Sequence, residues 1–418
     1  MKLTLFFSTI CLLMLPVMAG ASEPVTNSMA NTKLTPNENR MWELRKEVDS
    51  AETAYLKSSH GKDGDELWTH FCETNDANLP KIFELAKLEP QSETALDMFE
   101  WILKNRRISM QTLRTNALQS IELLGAYHAA NPNITNLCRI LGNFQDSTYQ
   151  PILNFLQKVA DKNPNREARG QATLALVRLT KQNASILAQW ESETNSTNPW
   201  YAQRMAFILA EEKNGGAQAA SLAAENYCRS VLSQYADCPS LQPANAVQPK
   251  ATLGELAAIE LFELEHLTVG KAAPELEGET IDGKKLRLSD YRGKVVVLSF
   301  WASWCGPCMQ MVPAEVRLAQ QMQGKPFALI GINGDSNRSD AQNAVKKEQM
   351  SWPSFWDEKG AGGIIPTAWN IHGWPTVFIL DSAGVIQFKF VGYGNSTENL
   401  LNQKVNSLLD QLKNKTQP

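Results

Sequence analysis

Two cysteines, Cys305 and Cys308, lie within the segment SFWASWCGPCMQMVP (299–313), separated by Gly306 and Pro307. A thiolate can attack a disulfide sulfur, and a second nearby thiol can then resolve the mixed disulfide. An apolar, strand-like run precedes the pair and a helical pattern follows it, so Cys305 is expected at a helix N-terminus. There, unpaired backbone N–H groups and the helix dipole lower the pKa of a thiol. The sequence predicts a catalytic dithiol in which Cys305 attacks and Cys308 resolves.

Three other uses of this cysteine pair fit the sequence less well. A zinc site usually needs two ligand pairs, but the chain has no second Cys-x-x-Cys, and the nearest histidine, His372, stands alone. No metal is therefore predicted. A structural disulfide would not need an exposed helix start. A peroxidase would carry Thr or Ser three residues before its attacking cysteine, where this chain has Ala302.

Strand and helix signals around the pair predict the elements that must position it. Continuous apolar runs indicate strands that are buried on both faces of a sheet, and Asp282-Gly283 is a hairpin turn signal. The predicted order is a hairpin over 274–289, buried strands over 294–301 and 327–333, strands over 376–380 and 385–391, and helices between and after them.

Roughly residues 268–416 resemble the thioredoxin superfamily. The resemblance rests on this element order, on Trp-Cys-Gly-Pro-Cys at 304–308, on Pro313, on Gly-Trp-Pro-Thr at 373–376 and on Val-Gly at 391–392. The stretch from the hairpin to the cysteines is similar to the exported TlpA/ResA-type, redoxin-like thiol–disulfide oxidoreductases of bacteria. The resemblance implies an α/β thioredoxin-like domain with an added N-terminal β-hairpin, protein disulfides as substrates, a membrane-bound electron donor and no cofactor.

The resemblance also implies substrate-binding residues outside the cysteine pair. In a thioredoxin fold, the proline at the position of Pro375 is cis and lies beside the sulfurs. Trp374, the residue before it, would offer its backbone N–H and C=O to an extended substrate. We therefore expect substrate to contact Trp304, Trp374, Pro375 and Thr376. The alternative is an ordinary trans proline that begins an edge strand.

Two acidic positions of the resembled proteins are not acidic here. Ser299 stands where thioredoxins have a buried acid, and Met311 stands where many ResA-like proteins have a glutamate. Such acids help to move a proton to or from the second cysteine. Glu315, one helical turn beyond Met311, and Asp335, at the end of the next strand, are candidate proton relays; the alternative is that no acid is needed.

From Asn37 to about Tyr235 the apolar spacing is helical throughout. This pattern predicts an all-α domain of helical hairpins, with an α-solenoid and an irregular helical domain as alternatives. A proline-rich linker over 236–250 and a connecting helix over 251–267 lead to the thioredoxin-like domain, 268–418. The helical domain could bind an unknown protein. An alternative function is therefore a helical scaffold in which the thioredoxin-like domain only positions partners or senses redox state.

The length and composition of the chain limit its number of domains and its classes of partner. The 418 residues are too many for one ordinary core, so the chain is multidomain. The net charge of −4 gives no reason to expect a nucleic-acid partner. Residues 1–21 combine Lys2, an apolar run and Ala19-Gly20-Ala21, which is the pattern of a cleaved signal peptide, and a flexible leader follows over 22–36. The protein is expected in the periplasm or cell envelope; an uncleaved anchor is the alternative.

Four more cysteines remain besides Cys11 in the signal sequence. An exported compartment permits disulfides, and the closeness of Cys228 to Cys238 favours a bond between these two. Free buried thiols are the alternative, because cysteine packs as a small hydrophobe. The other two are Cys72 and Cys138.

Overall fold

A computed structural model describes residues 34–58, 64–104, 110–144, 150–190, 209–241, 251–394 and 396–416. The predicted signal peptide, the leader up to residue 33 and the linker residues 242–250 lie outside these ranges. The chain forms two compact units. Among the described residues, the first unit contains those up to Leu176 and those from Tyr235 to Leu253, and the second contains those from Val177 to Gln234 and those from Gly254 onward.

The first unit is built from helices, as the apolar spacing predicts. Helix α6 shows why: it buries Ile152, Phe155, Leu156 and Val159, which form one apolar stripe at i, i+3, i+4 and i+7. None of the described helices combines the length and apolar character needed to cross a membrane. The helices are α1 Pro36–Ser58, α2 Gly64–Ala86, α3 Glu93–Lys104, α4 Met110–Tyr127, α5 Thr135–Leu141, α6 Gln150–Lys162 and α7 Arg166–Trp190, which continues into the second unit.

The described part of the predicted linker is hydrogen-bonded to the chain that follows it. Ser240 N donates to Ala251 O at 3.0 Å, and Leu253 N donates to Cys238 O at 2.8 Å. These bonds flank an isolated β-bridge between Pro239 and Thr252. Backbone pairing therefore brings residues 238–240 beside residues 251–253.

The predicted disulfide between Cys228 and Cys238 is wrong, because both residues are thiols. Cys228 lies on α8 (Gly216–Gln234) and packs in an apolar cluster with Val177 and Leu264. Cys238 instead lies beside Arg166, whose Nη1 is 3.2 Å from the sulfur. The two thiols have different neighbours, which proximity in sequence does not reveal. Cys72 and Cys138 are thiols as well.

Burial keeps the thiols of Cys138, Cys228 and Cys238 protonated. Desolvation raises the pKa of Cys228 to about 12. It also raises the pKa of the fully buried Cys138 and of Cys238. The alternative of free buried thiols is therefore confirmed for these three cysteines.

The second unit carries a five-stranded mixed sheet in the order β5-β4-β3-β6-β7. Strands β3, β4 and β5 are parallel, and β6 and β7 run antiparallel to their neighbours. The predicted thioredoxin-like sheet domain is therefore present. Its strands are β3 Val295–Trp301, β4 Phe327–Asn333, β5 Ser354–Phe355, β6 Thr376–Leu380 and β7 Ile386–Val391, and its helices are α9 Leu253–His266, α10 Gly306–Gln321, α11 Arg338–Lys347, α12 Ile364–Ala368 and α13 Thr397–Thr416.

The central strand β3 is buried along its whole length. Its side chains alternate between two cores, as the pleat of a strand requires. Val297 and Trp301 pack in the core that contains residues of α10, α11 and α13. Leu298 and Phe300 pack in the other core, which contains Trp369. Burial on both faces explains why this strand is a continuous apolar run in the sequence.

A short antiparallel hairpin precedes the sheet. Its strands are β1 Glu277–Glu279 and β2 Lys285–Arg287. Gly283 occupies the turn with φ of 77°, a conformation that glycine adopts readily. Gly283 N donates to Thr280 O at 2.9 Å and closes the turn.

Candidate active site

Cys305 and Cys308 form a disulfide at the start of α10. Cys305 is the N-cap residue, and its sulfur accepts a hydrogen bond from the backbone N–H of Cys308 at 3.2 Å. The two residues are 5% and 1% exposed, respectively. The first-turn N–H groups of α10 are therefore positioned to stabilise a thiolate on Cys305 once the disulfide is reduced.

Asp335 anchors the loop between β3 and α10. Its carboxylate accepts hydrogen bonds from Ser303 N at 3.0 Å, Ser303 Oγ at 2.7 Å and Asn333 Nδ2 at 2.7 Å. Asp335 is only 2% exposed, so these donors replace the water that a carboxylate needs. The carboxylate thus holds the chain two residues before Cys305.

Two tryptophans form an apolar surface beside the disulfide. Trp304 is 59% exposed, and its ring lies edge to face with that of Trp374 at 5.9 Å between centroids. Gly334 supports both rings. Its carbonyl accepts a hydrogen bond from Trp304 Nε1 at 3.3 Å, and a Cβ at Gly334 would lie 2.6 Å from the Trp374 ring. A side chain at position 334 would therefore displace Trp374.

The Trp374–Pro375 peptide bond is cis, so the prediction for this bond is confirmed. Pro375 O accepts a hydrogen bond from Gly392 N at 2.7 Å. Thr376 is buried, and its hydroxyl donates to Gly373 O at 2.7 Å. Thr376 therefore shapes this loop from its buried side, whereas Trp374 is partly buried, and its ring lies edge to face with that of Phe300 at 6.4 Å between centroids.

The backbone of Trp374 has unused hydrogen-bonding capacity. No hydrogen bond joins its N–H or C=O to another part of the chain that the structure describes. Backbone N–H and C=O groups are strong hydrogen-bonding groups, so those without a partner in the chain can bond to another molecule. One donor and one acceptor of the Trp374 backbone are therefore without a partner among the described residues.

Glu315 is a buried acid on the face of α10 that packs against the sheet. It is 2% exposed, and its Oε1 has no hydrogen-bond partner among the described residues. Burial raises its pKa to about 7, and the nearby Ser299 hydroxyl opposes part of this rise. Ser299 shares the helix-facing side of β3 with Val297 and Trp301. In this protein the buried acid, Glu315, is therefore on helix α10. It lies near Ser299 of β3, the position at which thioredoxins have a buried acid.

Glu315 lies seven residues after Cys308, so both occupy the same face of α10. Long side chains on a helix lean back toward its N-terminus. From this general tendency we expect the Glu315 carboxyl group to lean toward the Cys308 end of the helix.

Sequence reasoning missed Ser303, Asn333 and Gly334 as parts of this site. Each follows or ends an apolar strand, and in parallel sheets the residues after the strands gather at one edge. That position is a signal that could have identified them. The predicted residues Cys305, Cys308, Trp304, Trp374 and Pro375 do lie together.

The raised pKa of Glu315 predicts a stability change in Glu315→Gln. Below pH 4.5 the carboxyl group is neutral in both folded and unfolded chains, so the variant should match the wild type. Ionisation then increasingly destabilises the folded wild type as pH rises toward 7. Above pH 7 the variant should be more stable by about 3 kcal/mol, since the 2.5-unit rise in pKa is worth about 1.36 kcal/mol per unit. Urea unfolding followed by near-ultraviolet circular dichroism measures this difference.

The control is Glu358→Gln, at an exposed position in the same unit. Its stability relative to the wild type should not vary with pH. A Glu315→Gln variant with the same flat difference would contradict a buried carboxyl group of raised pKa.

Residues 269–389 match the family model described as the AhpC/TSA family. The thioredoxin-like protein YneN of Bacillus subtilis is 34% identical over 126 residues, which are 29% of this chain and 71% of the relative. The thiol–disulfide oxidoreductase ResA of a Bacillus cereus strain is 30% identical over 128 residues, which are 31% of this chain and 72% of the relative.

Among solved structures, a thiol–disulfide oxidoreductase from Bacteroides fragilis is 28% identical to this chain. The match covers 32% of this chain and 99% of that one, with a TM-score of 0.30. The name of ResA describes the thiol–disulfide exchange that the cysteine pair at the start of α10 suggests. The chain belongs to the thioredoxin superfamily, among its redoxin-type thiol–disulfide oxidoreductases.

Proposed function

We propose that this enzyme is exported and reduces disulfides in other proteins. The main support is the position of Cys305: its sulfur caps a helix, next to an exposed tryptophan and a backbone segment ready to pair. The signal-like pattern of residues 1–21 supports export to the periplasm or cell envelope.

The proposed reaction consists of two exchanges. The Cys305 thiolate attacks one sulfur of the substrate disulfide, forms a mixed disulfide and releases the other substrate sulfur as a thiolate. The Cys308 thiolate then attacks the Cys305 sulfur, which forms the Cys305–Cys308 disulfide and releases the second substrate thiolate. The substrate gains two electrons, the enzyme dithiol loses two, and the released thiolates take up protons.

Substrate docking uses the apolar surface beside the sulfurs. An extended substrate segment pairs with the N–H and C=O of Trp374, as an added strand would. The rings of Trp304 and Trp374 cover apolar side chains next to the substrate cysteine. Pro375 and Thr376 hold the Trp374 backbone in place.

Single-cysteine variants test the order of the two attacks. Cys308→Ser should form a stable mixed disulfide with a substrate protein, because the resolving thiol is gone. Cys305→Ser should form no mixed disulfide and should lose reduction of insulin by at least about 100-fold, because the thiolate is the nucleophile. Non-reducing gel electrophoresis and insulin turbidity measure the two outcomes.

Insulin reduction that persists in Cys305→Ser would contradict the enzymatic proposal. It would favour the alternative in which the helical unit is a partner-binding scaffold and the thioredoxin-like part only positions or senses. The double variant Cys305→Ser/Cys308→Ser provides the background rate.

Repeated turnover requires a source of electrons. Each cycle leaves Cys305 and Cys308 oxidised, so another dithiol must reduce them. In an oxidising compartment, a membrane-bound electron donor meets this need. The Cys-Gly-Pro-Cys sequence, which thioredoxin also has, supports a reducing direction.

The reduction potential of the Cys305–Cys308 pair tests the direction. We expect a value near that of thioredoxin, about −270 mV, rather than near that of the oxidant DsbA, about −120 mV. Equilibration with dithiothreitol buffers, followed by alkylation and mass measurement, gives the potential. A value close to that of DsbA would show that the enzyme inserts disulfides instead.

We further propose that Glu315 accepts the proton of Cys308 during resolution. Its carboxyl group is buried and has a pKa of about 7. A group with a pKa near the working pH can both accept a proton and release it again. Asp335, the other acid considered, already accepts hydrogen bonds from Ser303 and Asn333, so it positions the loop instead.

A relay role for Glu315 predicts a pH dependence of mixed-disulfide resolution. The wild-type rate should rise as pH passes through about 7, because the base is the ionised carboxylate. Glu315→Gln should lack this rise of the rate near pH 7. Its mixed disulfide should be resolved roughly 100-fold more slowly than that of the wild type at pH 7.5, which is the lower end of general-base effects. Rapid-quench alkylation measures the rate, and Glu358→Gln is the control. An unchanged pH profile in Glu315→Gln would rule out the relay.

A further inference from the structure

A cluster of largely buried charges in the second unit contacts the loop that leads to Trp374. At its centre is Glu263 on α9, which is 8% exposed. Its carboxylate accepts hydrogen bonds from Lys181 Nζ at 2.7 Å, Lys389 Nζ at 2.8 Å and Asn370 Nδ2 at 2.5 Å. One side chain therefore connects α7, β7 and the loop.

Glu263 is ionised whenever the enzyme is folded at ordinary pH. Burial alone would raise its pKa, but Lys181 and Lys389 together lower it to about 2. A charged acceptor forms a shorter and stronger hydrogen bond than a neutral one. The bond to Asn370 therefore persists across the working range of pH.

Asn370 lies at the start of the loop that leads to Trp374. It is 7% exposed and has φ of 49°, a left-handed conformation that asparagine tolerates better than most residues. The chain reaches Trp374 four residues later and then passes through the cis bond to Pro375. The amide of Asn370 thus fixes one end of the segment that presents the Trp374 backbone.

A second acid on α9 allows the loop contact to be separated from the charge cluster. Glu260 lies nearly one helical turn before Glu263 and is 7% exposed. It pairs with Arg178 at 3.3 Å and with Lys181. It therefore belongs to the same ion network, but its hydrogen bonds do not include Asn370.

We propose that Glu263 is a positioning residue for protein substrates. Through Asn370, it holds the Trp374 backbone where an extended chain carrying the target disulfide can pair with it. This inference rests on the proposed disulfide reduction. A small aromatic disulfide does not pair with the backbone, so its reaction with Cys305 should not depend on Glu263. Helices α7 and α9 would then be parts of the substrate site, although they carry no reacting group.

Single-turnover kinetics of the reduced full-length protein test this role. The substrates are a peptide of about 12 residues with one internal disulfide and the small disulfide 5,5′-dithiobis(2-nitrobenzoate). Asn370→Gly removes the hydrogen bond, so the half-saturating peptide concentration should rise roughly tenfold, the effect of one charge-assisted hydrogen bond. Glu263→Gln keeps a neutral amide oxygen as a weaker acceptor, so the rise should be smaller, about threefold to fivefold. The maximal rate and the rate with the small disulfide should stay within about twofold of the wild type. Glycine keeps the left-handed conformation available at position 370.

The matched control is Glu260→Gln, which removes a charge from the same network and should leave peptide binding within about twofold. The double variant Glu263→Gln/Asn370→Gly should bind the peptide no more weakly than Asn370→Gly alone, because both changes act on the same hydrogen bond. An equal loss in Glu260→Gln, no loss in Asn370→Gly, or a parallel loss with the small disulfide would overturn the proposal. A wild type that reduces the small disulfide but not the peptide overturns the proposed function, and this inference with it.

Discussion

The backbone N–H groups at the first turn of α10 have no carbonyl partners within the helix, and the site is organised around them. The Cys305 sulfur can accept hydrogen bonds from these groups only if β3 ends and α10 begins at the observed residues. The buried pattern of β3 fixes the end of the strand, and the hydrogen bonds of Asp335 to Ser303 fix the loop. A shift of one residue in either element would take the Cys305 sulfur away from these donors. The dithiol thus depends on the packing of the whole sheet.

Charge burial in the second unit follows two different patterns. Glu263 is buried with cationic partners, which lower its pKa and keep it charged. Glu315 is buried among apolar residues, which raise its pKa into the range where protons move. Permanent charge suits a group that holds a loop, and variable charge suits a group that transfers protons. Two glutamates of the same unit thereby differ through their surroundings alone.

The sequence was most informative where the signal is local. The cysteine pair and the strand before it could be read from neighbouring residues, because helix starts and buried strands have short-range patterns. The cis bond between Trp374 and Pro375 was predicted only from the resemblance to the thioredoxin superfamily. That Cys228 is a thiol and not part of a disulfide could not be read in this way, since its apolar neighbours include Val177 and Leu264 from other helices. Nor could the bond between Glu263 and Asn370, which are 107 residues apart. Contacts of this kind depend on how elements meet, which one sequence does not specify.

The buried thiols have a consequence for an enzyme that works on disulfides. Any accessible thiolate in such a protein could attack the mixed disulfide at Cys305 and divert it. With a pKa of about 12, the Cys228 thiol is ionised in only about one molecule in 100,000 at pH 7, against a few per cent for an ordinary cysteine. Burial raises the pKa of the Cys138 thiol as well. The fold can therefore retain these cysteines as packing residues while shielding them from the chemistry of its own active site.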